Sequence, residues 1–244
     1  MNPVKVLAVG NSFSENVASC LPQIAEAGNR PLILGRLYIG GCSLERHWQN
    51  VLSGAKDYLY NHTGREQIPT SISDAFKMED WDFVTFQQAS HFSGMPETYH
   101  PFLENLSAYA KVMSPRAKQV IHETWAYAKD STHPGFANYH NSQEEMYRRL
   151  RDAYHMAADT IGAAAFLPAG DAWQLARATE IGDTLCADGF HGNEKGCYLS
   201  AAVWYEILLG GDIRENSFCP NNVTEKELKI LQDCAHQAAA QTMM

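Results

Sequence analysis

The chain has 244 residues, of which 45% are hydrophobic and 19% are charged, a balance typical of a folded globular protein rather than of a disordered one. Its formal net charge of -9 argues against nucleic acid as a partner, because its densest basic cluster is the short run from Arg148 to Arg151. No stretch reaches the ~18 consecutive apolar residues of a membrane-spanning helix.

Five runs of β-branched and apolar residues predict five strands, and helix-like segments separate them. The strands are predicted at residues 4–9, 31–39, 83–86, 118–124 and 164–167. The helices are predicted at residues 15–27, 44–52, 101–113, 142–161, 171–180 and 193–209, with a last one that begins at residue 224. Pro22 is expected to kink or divide the first helix. Residues 58–73 are rich in turn formers and predict a loop or a small hairpin laid against the sheet.

Strands that alternate with helices predict an α/β fold, in which a parallel sheet carries helices on both faces. For five strands, the flavodoxin-like order 2-1-3-4-5 is the commonest arrangement. In that order the ends of strands 1, 2 and 3 meet in one crevice. They would bring Ser12, Gly40–Gly41 and Gln87–Gln88 together there.

Ser12 follows the first predicted strand, which Gly10 ends. Ser14 and Asn16 are the predicted N-caps of the helix that comes next. At the carboxyl edge of a sheet, the Ser12 hydroxyl would be exposed among unpaired backbone N–H groups. That position fits a nucleophile, a phosphate site or an ordinary strand-to-helix turn.

Among the ten histidines, His191 has a distinctive context, because Asp188 precedes it by three residues. In a single turn this spacing can hold the carboxylate against one ring nitrogen and leave the other free to face Ser12. His91 and His122, which lie near strand ends, also stay candidates for a base. The remaining histidines lie in helical or polar loop contexts without a partner pattern.

The cysteines and the first residues of the sequence indicate the cellular compartment in which the protein is expected. Six cysteines are dispersed, and none forms a C-x-x-C pair, so neither a disulfide scaffold nor a structural zinc site is predicted. No charged-then-apolar leader precedes the first strand, which predicts a cytoplasmic protein for the chain as written. A leader trimmed before this sequence was written would make it secreted or periplasmic.

Three short motifs in order carry a resemblance to a known superfamily. They are G-N-S-F-S at residues 10–14, Gly40-Gly41 after the second strand and D-G-F-H at residues 188–191. The sequence resembles the SGNH (GDSL-type) hydrolases, and within them a bacterial branch that has G-N-S-F-S in place of G-D-S. The continuation G-C-Y-L-S-A at residues 196–201 resembles the same branch.

The resemblance implies a three-layer α/β/α sandwich, formed as a single SGNH-hydrolase-like domain over residues 1–244. It also implies a serine esterase with a catalytic triad of Ser12, His191 and Asp188. The reaction would be acyl transfer to water through an acyl-enzyme on Ser12, with no metal and no organic cofactor.

Two departures from the superfamily pattern concern the site. Asn11 stands where the superfamily usually has Asp. The G-x-N-D motif, whose Asn normally donates to the oxyanion, is absent. We predict that the side-chain amide of Gln88 replaces it, with Gln87 as the second choice. The backbone N–H groups of Ser12 and Gly41 would complete the oxyanion hole.

The substrate is predicted to be a small-molecule or carbohydrate ester with a short acyl chain, acetyl on a sugar being one candidate. Trp125, His91 and Gly40 are the predicted substrate contacts. Trp125 opens an aromatic insertion, residues 125–141, whose rings would either stack on a sugar or pack the insertion onto the body. No oligomeric state is predicted.

Two functions of other classes stay open. Asn11 and the missing G-x-N-D motif are compatible with a ligand-binding protein that keeps the fold and has lost turnover. The helix start after Gly10 is compatible with a phosphate- or nucleotide-binding module of flavodoxin type.

Overall fold

The computed structural model describes residues 2–63 and 67–242, and within them the chain forms one seven-stranded sheet. The strands are β1 (Val4–Gly10), β2 (Leu32–Tyr38), β3 (Tyr58–His62), β4 (Ile68–Thr70), β5 (Phe83–Phe86), β6 (Lys118–Glu123) and β7 (Ala165–Pro168). Their order across the sheet is β4-β3-β2-β1-β5-β6-β7. Strands β2, β1, β5, β6 and β7 pair in parallel and follow the predicted 2-1-3-4-5 order.

The predicted count of five strands is wrong, because residues 58–73 join the sheet instead of lying against it. β3 pairs antiparallel with β2, and β4 pairs antiparallel with β3. In β3 the side chains of Tyr58 and Tyr60 are buried, whereas Leu59 between them is exposed. This period of two is the mark of a half-buried strand. Residues 64–66 of the predicted hairpin lie outside the described residues.

Helices cover both faces of the sheet, as predicted. They are α1 (Ser12–Ala18), α2 (Leu21–Ala27), α3 (Leu44–Ser53), α4 (Ile72–Phe76), α5 (Phe102–Met113), α6 (Gln143–Ile161), α7 (Ala169–Arg177), α8 (Glu194–Trp204) and α9 (Glu225–Thr242). The helices form two groups, and within each group they pack against one another. The first group contains α3, α4, α5 and α6, and the second contains α1, α2, α7, α8 and α9. None of the helices in the described ranges is both long and apolar enough to span a bilayer.

The first predicted helix is two helices, and the break is where Pro22 requires it. α1 ends at Ala18, and Pro22 lies in the first turn of α2, where its missing N–H costs nothing. The N-cap of α1 is Asn11, whose Oδ1 accepts a hydrogen bond from Phe13 N at 3.1 Å. The predicted caps Ser14 and Asn16 are therefore wrong, since both residues lie inside α1. The earlier start makes Ser12 the first helical residue.

A fully buried carboxyl group lies where β6 ends. Glu123 Oε2 accepts a hydrogen bond from Asp171 N at 3.0 Å, whereas Oε1 has no partner among the described residues. Burial, together with the nearby Asp171 carboxylate, raises the pKa of Glu123 well above its usual 4.5, although backbone N–H groups of Asp171 and Gly170 oppose the shift. The native state therefore keeps a proton that the unfolded chain releases.

This proton makes the stability of the protein dependent on pH. Below pH 4.5 the carboxyl is neutral in both states. Above that pH the unfolded chain ionises first, so the free energy of unfolding falls as the pH rises. We expect the stability of Glu123→Gln relative to wild type to increase with pH, by at most about 1.4 kcal/mol per pH unit. Urea unfolding of both proteins between about pH 5 and pH 8 measures this, and parallel stability profiles would contradict it.

Candidate active site

Ser12 stands at the carboxyl edge of the sheet because β1 ends at Gly10 and α1 begins two residues later. The turn is tight enough to require glycine at position 10. A Cβ added there would lie 2.0 Å from Ser14 Oγ and 3.2 Å from Gln87 Oε1. The side chain of Ser12 stays partly exposed.

The structure brings together the three side chains that the sequence predicts as a triad. Ser12 Oγ lies 2.9 Å from His191 Nε2, across 179 residues of sequence. His191 Nδ1 lies 2.7 Å from Asp188 Oδ2. Because a carboxylate only accepts, Nδ1 carries the ring proton and Nε2 accepts from the Ser12 hydroxyl.

Asp188 is also held by the backbone of its own turn. Its Oδ1 accepts from His191 N at 2.8 Å and from Phe190 N at 3.2 Å. Partial burial alone would raise the pKa of Asp188. The hydrogen bonds from His191 and Phe190 outweigh that effect and lower the pKa below its usual value. The carboxylate is therefore charged at neutral pH and orients the imidazole.

A cleft of about 420 Å³ opens beside Ser12 and His191. The other residues that line it come from the ends of β2 and β5 and from the 125–141 insertion and the His191 turn, namely Tyr38, Gly40, Gly41, Ser90, His91, His133, Pro134, Gly135 and Phe190. Two of the three predicted substrate contacts, Gly40 and His91, are thus on its wall.

Trp125, the third predicted contact, does not reach the cleft. It is fully buried, with its ring stacked between Phe13 and Trp173 at 4.4 Å from each. Its Nε1–H donates to Phe190 O at 2.9 Å. Trp125 therefore supports the turn that carries His191. The prediction that Trp125 contacts substrate is wrong.

His133 lies on the cleft wall, where the 3₁₀ helix Pro134–Tyr139 begins. Its Nδ1 accepts from Gly135 N at 3.0 Å, so the neutral ring carries its proton on Nε2. Burial, and then the nearby His191, lower the pKa of His133 and favour this neutral ring. The sequence pattern indicates only that residue 133 lies in the aromatic insertion, and the H-P-G run at residues 133–135 is the local signal for the turn that places His133 on the cleft wall.

Gly41, on the loop after β2, has the backbone that close approach to a ligand needs. Its φ is +61°, a conformation that favours glycine, and a Cβ there would meet nothing within 4 Å. Among the described residues, no hydrogen bond uses the backbone N–H of Gly41 or of Ser12. Both groups are therefore free to bind an oxyanion.

Gln88 does not fit the role of oxyanion donor. Its Oε1 accepts from Leu44 N at 3.0 Å and from Ala89 N at 2.8 Å. Both hydrogens of its Nε2 go to Thr98, at 3.0 Å to the carbonyl and 3.1 Å to the hydroxyl. The amide is fully buried and ties the end of β5 to α3 and to the turn at Thr98.

The side chain of Gln87 also forms its hydrogen bonds with groups inside the protein. Its Nε2 donates to Asn11 Oδ1 at 2.7 Å. Its Oε1 accepts from Ser14 Oγ at 2.7 Å and from His122 Nδ1 at 2.8 Å. Burial lowers the pKa of His122 to about 3, so this ring is neutral. Gln87 is buried and is not among the residues that line the cleft, so it does not fit the role of donor either. His122 serves this network rather than Ser12.

Asn11 joins the Ser12 turn to the loop that presents Gly41. Its Nδ2 donates to Cys42 O at 3.1 Å, and its Oδ1 accepts from Phe13 N and Gln87 Nε2. A carboxylate at this position would face the Cys42 carbonyl without a hydrogen to donate. The asparagine at this position is thus matched to its neighbour.

We expect Asn11→Asp to lower the free energy of unfolding by about 1–3 kcal/mol, because it buries an acceptor against an acceptor. The matched control is Asn16→Asp in the same helix. Among the described residues the side chain of Asn16 bonds only through its Oδ1, which accepts from Gly192 N at 3.0 Å and which an aspartate retains. Urea unfolding of the two variants measures the difference. Equal stability of the two variants would contradict the account of Asn11.

Comparisons with known proteins agree with this fold. The family model described as "Domain of unknown function (DUF4886)" matches residues 5–238. A DUF4886 family protein from Bacteroides uniformis ATCC 8492 is 36% identical, with a TM-score of 0.94 over 98% of this chain and 95% of that one. No curated protein matches the chain.

Two more distant crystal structures share the fold alone. An acetylxylan esterase from Geobacillus stearothermophilus is 11% identical, with a TM-score of 0.56 over 86% of this chain and 95% of that one. A Parabacteroides merdae ATCC 43184 protein described as a putative GDSL-like lipase is 14% identical, with a TM-score of 0.56 over 84% and 95%. The α/β fold is thus that of GDSL-like hydrolases, and the branch with G-N-S-F-S stays a prediction.

Proposed function

The chain belongs to the DUF4886 family, and from the geometry of its site we propose that it is a serine esterase. The carrying observation is the continuous chain of hydrogen bonds from Ser12 Oγ through His191 to Asp188. A nucleophile, a base and a group that orients the base are the parts that acyl transfer needs. The GDSL-like fold supports the same reaction class.

The proposed reaction begins when Ser12 Oγ attacks the ester carbonyl and His191 Nε2 takes its proton. The backbone N–H groups of Ser12 and Gly41 bind the oxyanion of the tetrahedral intermediate. Collapse of the intermediate releases the alcohol, which receives that proton from His191, and leaves an acyl group on Ser12. Water then attacks the acyl-enzyme with His191 as its base, which releases the acid. These steps use no metal and no organic cofactor.

The walls of the cleft support a short acyl chain and a polar alcohol as the substrate. Gly40 and Gly41 leave room near Ser12, whereas Phe190 and Tyr38 supply aromatic surface. His133 offers an N–H donor. A cleft of about 420 Å³ accommodates a small ester or one acetylated sugar unit. The fold neighbour that is an acetylxylan esterase makes acetylated carbohydrate a substrate to test first.

Neither predicted glutamine is placed to donate to the oxyanion. This favours one alternative, a protein that binds its ligand but no longer catalyses a reaction. A screen of p-nitrophenyl esters of increasing chain length, together with peracetylated xylose, separates the two functions. We expect hydrolysis with a preference for acetyl and butyryl over long-chain esters. An inactive protein that still binds the acetylated sugar in calorimetry would support the alternative and contradict the esterase.

A further inference from the structure

The segment after β5 still contains a polar residue that lines the cleft. Gln87 and Gln88 point into the protein, as described above, but Ser90 is one of the residues that line the cleft, together with Ser12 and Gly41. It begins the 3₁₀ turn Ser90–Phe92. The nucleophile, the glycine and this serine follow β1, β2 and β5, which are neighbours in the sheet.

The hydrogen-bond partner of Ser90 fixes where its hydroxyl hydrogen goes. Ser90 Oγ lies 2.7 Å from Tyr127 OH, and either oxygen has one hydrogen to donate. Tyr127 is 0% exposed, and its hydroxyl has no other hydrogen-bond partner among the described residues. If Ser90 donated, the buried phenol hydrogen would lack an acceptor, at a cost of about 1–3 kcal/mol. Tyr127 therefore donates, and the hydrogen of Ser90 is left for the cleft.

Tyr127 is held rigidly enough to aim this hydroxyl. Its carbonyl accepts from Gln143 Nε2 at 2.8 Å, and its backbone N–H donates to Met146 Sδ. Its ring packs against Phe136 and Phe190. A hydroxyl that already accepts a hydrogen bond is also a better donor, because hydrogen bonds in a chain polarise one another.

We propose that Ser90 is a catalytic residue whose hydroxyl is the third donor to the oxyanion, and that Tyr127 is the positioning residue that aims it. This assignment rests on the proposed esterase function. It gives the hole three donors from three neighbouring strand ends: the N–H of Ser12, the N–H of Gly41 and the O–H of Ser90. The donor comes from the segment that follows β5, and it is a hydroxyl rather than an amide.

The first test is Ser90→Ala, assayed with p-nitrophenyl acetate. Loss of one oxyanion donor lowers kcat by about 10²–10³-fold, and KM is expected to stay within about threefold because the donor acts on the transition state. Ser90→Thr, which keeps a hydroxyl, is expected to recover most of the loss. The matched control is Ser107→Ala, since Ser107 is a buried serine whose hydroxyl donates to Gln119 Oε1 away from the cleft. That variant is expected to retain the kcat of wild type.

Tyr127→Phe provides a second measurement that leaves Ser90 in place. We expect kcat to fall about tenfold, and we expect the same change to have little effect when it is added to Ser90→Ala, since both act through one hydroxyl. Fully multiplicative effects would show a structural role for Tyr127 and overturn its part of the assignment.

The outcomes separate this assignment from the proposed function. If wild type hydrolyses the ester, Ser12→Ala does not, and folded Ser90→Ala matches wild type, the assignment to Ser90 is overturned while the esterase stands. If wild type hydrolyses no ester, the proposed function fails and the assignment fails with it.

Discussion

Replacing Ser12 with alanine is expected to lower kcat for ester hydrolysis by at least about 10⁴-fold. Ser12 Oγ is the atom that His191 Nε2 contacts, and an alanine leaves the imidazole with no nucleophile to activate. The change removes one partly exposed oxygen at the first residue of α1, so the fold and its melting temperature are expected to be retained. Steady-state kinetics and thermal unfolding of the same preparation measure both.

Ser19→Ala is the matched control for this variant. Ser19 is an exposed serine at the carboxyl end of the same helix, and its hydroxyl donates to Asn16 O at 2.7 Å. We expect its kcat to equal that of wild type. A Ser12→Ala protein that kept more than about one hundredth of the wild-type rate would show that another group attacks the ester.

Asp188→Asn is expected to lower kcat by about 10³–10⁴-fold. The asparagine Oδ1 can still accept from the backbone N–H groups of Phe190 and His191, so the turn is kept. Its Nδ2, however, would face the ring nitrogen that Asp188 Oδ2 contacts. The neutral imidazole then carries its proton on Nε2 and cannot accept the proton of Ser12.

The control for this prediction is another aspartate of the same loop, Asp183. Its carboxylate pairs with Arg177 at 2.8 Å and accepts from Lys129 N at 2.8 Å, and none of its hydrogen bonds or ion pairs among the described residues involves His191. Asp183→Asn is expected to lower stability but to keep kcat within about tenfold of wild type. Equal losses of kcat in the two variants would indicate that the loop is disturbed as a whole and would contradict a specific role for Asp188.

Local patterns in the sequence predicted the parallel part of the sheet and the placement of Ser12. A short apolar run that ends at Gly10 specifies a strand and a turn without information from elsewhere. The spacing of Asp188 and His191 is also local, because one turn brings the carboxylate to the ring. The antiparallel strand β3 had a local signal too, since Tyr58 and Tyr60 alternate with exposed Leu59.

The errors among the predicted site residues fall on side chains whose partners come from other parts of the chain. The side-chain amide of Gln88 forms its hydrogen bonds with Thr98 and Leu44, and no sequence pattern around Gln88 indicates those contacts. Trp125 follows a strand end, which suits a substrate contact, but Phe13 and Trp173 enclose it. Which polar or aromatic side chain faces a cleft is decided by tertiary packing, and local spacing does not encode it.

The central claim is that Ser12 is a nucleophile activated by His191, and covalent labelling tests it most directly. Wild type, Ser12→Ala and His191→Ala are treated with a fluorophosphonate, and peptide mass spectrometry locates the adduct. We predict one adduct, on Ser12 of the wild type, with no adduct in Ser12→Ala and much slower labelling in His191→Ala. An unlabelled wild type, or an adduct at another residue that forms equally fast in all three proteins, would contradict the claim.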